Sequence, residues 1–201
     1  MTRLRMAILI SGRGSNMEAI LDAAEAPDYP AEPVLVLSNR PDAAGLKLAQ
    51  RRGVATACVD HTIYGKDRAA FERHMHQALI PHHAQVIVLA GFMRVLTPWF
   101  VDQWAGRMIN IHPSLLPKYP GLNTHQRAIE AGDDVAGCSV HWVTAGVDEG
   151  AVIAQSKVPI AAGETAEQLA HKVLLAEHEL YPQAIKRACE AIVAREQAVQ
   201  F

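Results

Sequence analysis

Five short apolar runs, at residues 6–10, 34–37, 54–59, 86–90 and 108–111, alternate with amphipathic stretches through the first half of the chain. Runs of this length suit strands buried on both faces, and the stretches between them carry apolar residues at helical spacing. Alternating strand and helix is the pattern of βαβ units and a mostly parallel sheet. The expected fold is therefore α/β and Rossmann-like, a single domain with a mostly parallel twisted sheet and flanking helices. The first helix should follow Ser15, because Met17, Ile20, Leu21 and Ala24 recur on one face. Ser15 and Glu18 have capping-box spacing, which places the helix start there. Further helices are predicted over 43–52, ending at Gly53, and over 68–82.

After Leu122 the rhythm changes. Segments 138–143 and 151–158 are β-rich and separated by a loop with Gly146 and Gly150, which predicts an antiparallel pair added to the sheet. The C-terminal third reads as an amphipathic packing helix over 165–195. Thr165 and Gln168 form a second capping box, and Leu169, Val173, Ala176 and Leu180 mark one face. Pro182 should kink or interrupt that helix. With no repeats and no linker, the 201 residues are expected to form one domain with a sizeable core.

Composition narrows the function classes. A net charge of -2 offers no electrostatic case for gripping nucleic acid. Three scattered cysteines, Cys58, Cys138 and Cys189, fit reduced thiols and a cytoplasmic protein rather than a disulfide framework. No segment approaches the roughly 20 apolar residues of a membrane span, and the run after Arg3-Leu4-Arg5 is too short for a signal peptide. Among the histidines, His74 and His76 point apart on a helix, and neither H-E-x-x-H nor paired C-x-x-C occurs, so no metal site is expected.

Between the first strand and first helix lies Ser11-Gly12-Arg13-Gly14-Ser15-Asn16. Small residues there let backbone amides approach an anion at a helix N-terminus, and a phosphate is the natural ligand. The dinucleotide fingerprint fails, since its third glycine position holds Met17 and no acidic residue ends the second strand. Arg40 at that point supports the alternative of an NADP-binding oxidoreductase or nucleotide sensor. The stretch Asn110-Ile111-His112-Pro113-Ser114-Leu115-Leu116-Pro117 carries the other signal. Strand alternation puts Asn110 and His112 on one side while Ile111 turns to the core. An amide and an imidazole at the end of a buried strand suit chemistry better than packing.

These two motifs, with Ala90-Gly91-Phe92-Met93-Arg94-Val95-Leu96 and Asp148-Glu149-Gly150, resemble the phosphoribosylglycinamide formyltransferases, from about Met6 to Pro182. The resemblance implies formyl transfer from 10-formyltetrahydrofolate, a co-substrate, to the amine of 5'-phosphoribosylglycinamide in de novo purine (IMP) biosynthesis. It implies a catalytic trio of Asn110, His112 and Asp148. Gly14, Ser15, Asn16 and Met17 would hold the phosphate, and Leu174, Leu175, Ala176 and Glu177 would form a second segment against that substrate. Folate would meet Arg68, Met93, Arg94, Val95 and Leu96, together with Asn110 and the loop Thr144, Ala145, Gly146, Val147 and Asp148. Phosphate binding would fall in the half at about 1–100 and the folate and catalytic part in that at about 101–201. The Leu116–Pro117 bond is cis in such relatives, and Asn123 replaces a histidine found in some.

The chemistry is consistent with that trio. When an amine attacks a formyl carbon, the carbonyl oxygen gains negative charge, and each donor aimed at it is worth roughly 3–4 kcal/mol in comparable sites. The Asn110 amide and a charged His112 are suitable donors. A neighbouring carboxylate favours the imidazolium, and Asp148 is the candidate, which could also accept the amine's proton directly or through water. The amine is itself a nucleophile, so direct transfer is expected. His141 is read as structural support. A methionyl-tRNA formyltransferase is expected to carry a further tRNA-binding domain, and a formyltetrahydrofolate hydrolase would leave the phosphate loop without a purpose. The expected partners are small molecules, with no nucleic acid and no membrane, and the sequence is compatible with a monomer or a homodimer.

Overall fold

The computed structural model describes residues 3–199. Its strands are β1 (Leu4–Ile10), β2 (Ala31–Ser38), β3 (Thr56–Cys58), β4 (Val86–Leu89), β5 (Met108–His112), β6 (Val135–Trp142) and β7 (Val152–Pro159). They form one sheet in the order β3-β2-β1-β4-β5-β6-β7. The pairs from β3 across to β5 are parallel, while β6 runs antiparallel to β5 and β7 antiparallel to β6. The expected α/β architecture, with its C-terminal antiparallel addition, is the observed one.

Helices α1 (Ser15–Ala24), α2 (Ala44–Arg51), α5 (Thr124–Glu130) and α6 (Ala166–Val199) share one apolar layer with the sheet, and α3 (Arg68–Leu79) and α4 (Pro98–Gln103) share the other. Strand β1 shows why. Met6, Ile8 and Ile10 enter the first layer, Ala7 and Leu9 the second, and all five are fully buried. A buried side chain of the larger kind contributes about 1.5–3 kcal/mol. The chain leaves β1 toward β2 on one side and later returns to β4 on the other. That switch opens a crevice beyond the carboxyl ends of β1 and β4.

Several boundaries differ from the expected ones. Strand β2 begins at Ala31, before the predicted run at 34, and crosses Pro33 by a register shift that skips Val34 opposite Met6 and Ala7. Proline has no N–H for the ladder, and a bulge absorbs it. Strand β3 keeps only three of the six residues predicted, because it is an edge strand paired with β2 alone. Helix α3 stops at Leu79, and residues Ile80–His82 form a 3-10 turn around Pro81. The Ser15–Glu18 capping box does not form. Gly14 occupies the cap in left-handed conformation, φ 80°, and no side chain caps the helix. A second difference concerns Pro182. Helix α6 continues through it from Ala166 to Val199. Proline inside a helix costs about 3 kcal/mol. Here Tyr181, Ala184, Ile185, Ala188, Cys189 and Ile192 are buried along the sheet, and the Tyr29 hydroxyl donates to the Pro182 carbonyl at 2.9 Å. The Thr165–Gln168 capping box is present in both directions, at 2.9 and 3.2 Å.

Candidate active site

Strand β5 ends beside the crevice, and its alternation sends Ile109 and Ile111 into the α1/α6 layer while Asn110 and His112 face the other way. The loop after β6 returns Asp148 to this point. His112 Nδ1 lies 3.3 Å from Asp148 Oδ2, and His112 Nε2 lies 2.9 Å from the Tyr119 carbonyl. A carbonyl only accepts hydrogen bonds, so His112 Nε2 carries a hydrogen and donates it to Tyr119. Burial opposes charge on Asp148. Hydrogen bonds from His141 and the Gly121 amide, and the charges of His112 and His141, outweigh it and hold the carboxyl below its ordinary value. The Gly121 amide donates to Asp148 Oδ2 at 2.9 Å. Asp148 itself is left-handed, φ 56°, a conformation aspartate tolerates better than most residues.

His141, read from sequence as support, is a direct neighbour of this cluster. Its Nδ1 donates to the Trp142 carbonyl at 3.0 Å, and its Nε2 sits 3.2 Å from the Asn110 amide nitrogen and 3.6 Å from Asp148 Oδ1. Alternation with Trp142 on a strand gave only a faint signal, and the register that sets His141 opposite Asn110 belongs to the fold. The Tyr119 carbonyl had none. Tyr119 lies in the loop that contains the cis Leu116–Pro117 bond, at φ 55°. That loop is tied down by buried Ser139, whose hydroxyl accepts from the Leu116 amide at 2.9 Å and donates to the Ser114 carbonyl at 2.6 Å. His112 Nε2, one of the two expected oxyanion donors, is thus already engaged with the Tyr119 carbonyl, and the Asn110 amide nitrogen lies against His141 Nε2. The N–H of His112 Nε2 must leave Tyr119 to reach a ligand.

A second cluster forms across the sheet layer. Gly14 turns the chain into α1 where an added Cβ would stand 3.1 Å from the Gly45 backbone, so a larger residue would push α2 away. The helix begins with backbone amides that have no helical partner, an anion-binding arrangement. Asn16 donates from Nδ2 to Glu177 Oε2 at 2.6 Å, and its buried Oδ1 has no partner. Burial pushes the Glu177 carboxyl up to about 7, against the pull of the Asn16 hydrogen bond. Met17 is fully buried, which leaves only its backbone amide for a ligand. Ala176 and Leu174 are half-buried, and Leu175 is exposed.

Around the crevice, Met93 and Val95 are exposed while Leu96 packs in the α3/α4 layer. Arg94 lines a cleft of about 260 Å³ with Ser11, Asn39, Arg40 and His61. The Arg68 guanidinium donates to the Val95 carbonyl. Thr144, Ala145 and Val147 are exposed in the loop that carries Asp148, and Gly146 is half-buried. Arg40, the support for an NADP reading, is held by both oxygens of Asp42 at 3.0 Å. No group of three metal-ligating side chains occurs among the described residues. No described helix is long and apolar enough to cross a membrane.

A switched parallel sheet, a glycine turn at β1–α1 and an amide–imidazole–carboxylate cluster at the end of β5 define a Rossmann-like group-transfer enzyme. The sequence matches the formyl transferase family over residues 4–185, and the chain belongs to that family. It is 45% identical over 185 residues to phosphoribosylglycinamide formyltransferase of Escherichia coli K12, covering 90% of this chain and 85% of the relative. It is 42% identical over 191 residues to the trifunctional purine biosynthetic protein adenosine-3 of Bos taurus, covering 95% of this chain but 19% of that protein. The chain thus spans between 14% and 19% of the length of the trifunctional relatives it matches. The crystal structure of phosphoribosylglycinamide formyltransferase from Brucella melitensis superposes with a TM-score of 0.89 at 48% identity, covering 94% of this chain and 96% of that one. The resemblance read from the motifs is borne out.

Proposed function

We propose that this chain transfers a formyl group from 10-formyltetrahydrofolate to the amine of 5'-phosphoribosylglycinamide, a step of purine (IMP) biosynthesis. The observation that carries the reading is the His112–Asp148 pair at the end of β5, with Asn110 and Asp148 both against His141 Nε2, and the Asn16–Glu177 pair at the start of α1. The unpaired amides of α1 and the unpartnered Asn16 Oδ1 suit a phosphorylated, hydroxyl-bearing substrate. Glu177, able to donate or accept near neutrality, suits ribose hydroxyls or the glycinamide. Met93, Arg94, Val95 and Leu96, with the loop 144–148, would flank the folate, and Arg68 would lie toward its acidic tail. The phosphate loop then belongs to the N-terminal half and the reacting groups to the C-terminal half, with Arg68, the 93–96 segment and Glu177 crossing that division.

In this scheme the amine nitrogen forms a bond to the formyl carbon, and the carbonyl oxygen takes up the charge. Asn110 offers an amide N–H. His112 offers Nε2–H once the Tyr119 carbonyl gives way to the formyl oxygen. Asp148 keeps the imidazole charged, and it or a water it holds accepts the proton lost by nitrogen. Collapse of the adduct re-forms the carbonyl and breaks the bond to the donor's N10, which takes the proton that Asp148 or its water accepted from the amine. Mixing both substrates and omitting each in turn tests the reading by following loss of the formyl donor. Formyl transfer that depends on both supports it. Formate release without the amine would make the chain a hydrolase, and NADPH binding without folate binding would favour the oxidoreductase.

A further inference from the structure

We infer that Glu72 is a positioning residue for the formyl donor, acting through Thr97 on a loop that would wall the donor's cleft. The inference rests on the folate reading above. Residues 91–97 have no regular secondary structure, yet they present Met93 and Val95, 67% and 58% exposed, as an uncovered apolar ledge. Such a ledge orders a planar ring system only if its backbone is already fixed before binding.

Two buried polar anchors fix it. At the start, the Ser11 amide donates to the Gly91 carbonyl at 3.2 Å, and the Met93 amide donates to the Ser11 hydroxyl at 2.8 Å. That hydroxyl donates in turn to Asn39 Oδ1 at 2.5 Å, with Asn39 only 2% exposed. At the far end stands Glu72 on α3, 1% exposed. Its Oε1 accepts from the Thr97 amide at 2.7 Å, and its Oε2 accepts from the Thr97 hydroxyl. One turn earlier on the same helix face, Arg68 donates to the Val95 carbonyl. Phe92 and Leu96 anchor the intervening loop in the core. A carboxylate is costly to bury without partners, and both oxygens of this one are committed to a single loop residue. Thr97 begins α4 without capping it by its side chain, so the hydroxyl serves the carboxylate rather than the helix.

Replacing Glu72 itself risks the core, so the test uses Thr97→Val, which keeps the shape but strands one carboxylate oxygen, and Thr97→Ser, which keeps the hydroxyl. Steady-state constants are measured for both substrates on the whole enzyme, with urea unfolding to verify a folded state. The expected result is a KM for the 10-formylfolate raised about tenfold in Thr97→Val, the size of one lost hydrogen bond. The amine-substrate KM and kcat at saturating donor should stay within about twofold, and Thr97→Ser should match wild type. A folded Thr97→Val with unchanged donor KM overturns the inference, as does an equal rise in both KM values. Wild type without formyl transfer or folate binding would instead overturn the functional reading on which the inference stands.

Discussion

Two carboxylates in this site are tuned in opposite directions, and each gives a prediction. Asp148 is held ionised by the Gly121 amide and two imidazoles despite its burial. Asp148→Asn keeps the shape and removes the negative charge beside His112. Turnover should fall by about a hundredfold or more, with affinity for the phosphorylated substrate nearly intact. Turnover within threefold of wild type would remove Asp148 from the chemistry. Glu177 is the reverse case, raised from 4.5 to about 7 by burial. Between those values the native state holds more protons than the unfolded chain. Glu177's contribution to stability is therefore fully present below about pH 4.5 and is lost as pH rises through about 7, by up to about 3 kcal/mol. Glu177→Gln cannot ionise and should lose that slope. Urea unfolding at pH 5 and pH 8 checks it, and parallel behaviour of the two proteins would contradict it.

At the scale of elements, the glycine turn before α1 depends on how closely α2 approaches it. The Gly45 amide donates to the Gly12 carbonyl at 3.1 Å, and an added Cβ would meet the Ile10 side chain at 2.5 Å. Gly45→Val should push α2 off the turn, costing about 1–3 kcal/mol and raising the KM for the phosphorylated substrate several-fold. The donor KM should not move, and an unchanged substrate KM in a folded variant would count against this role. Element identity was legible because periodicity is local. The Thr165–Gln168 box formed as its spacing demanded. The Ser15–Glu18 box has the same spacing but failed, because the left-handed Gly14 starts the helix and the turn packs against Gly45. Likewise Pro182 should break an isolated helix, but the sheet beneath α6 outweighs one missing N–H.

Across the whole molecule, one sheet joins both apolar layers, and β1 contributes to each. Tyr181 on α6 reaches through to the sheet, donating to the Leu89 carbonyl at 2.8 Å near the end of β4. The molecule should therefore unfold as one cooperative unit. In Trp142→Phe, the fluorescence of Trp99 and Trp104 reports the α3/α4 layer, whereas far-ultraviolet circular dichroism is dominated by the helices of the other layer, α6 the longest of them. Coincident urea transitions are expected, and separated midpoints would show independent layers. What the sequence alone determined is whatever repeats at short range: the βαβ order, the shared face of Asn110 and His112, and the glycine turn before α1. The motif resemblance named the trio, but its contacts are tertiary. Asp148 meets His112 because a loop of the antiparallel extension folds back over β5, and Asn16 meets Glu177 across 161 residues of chain. The partners that hold these groups, His141, the Tyr119 carbonyl and Ser139, come from strand register and loop course. Those are settled by the packing of the whole sheet rather than by any local pattern.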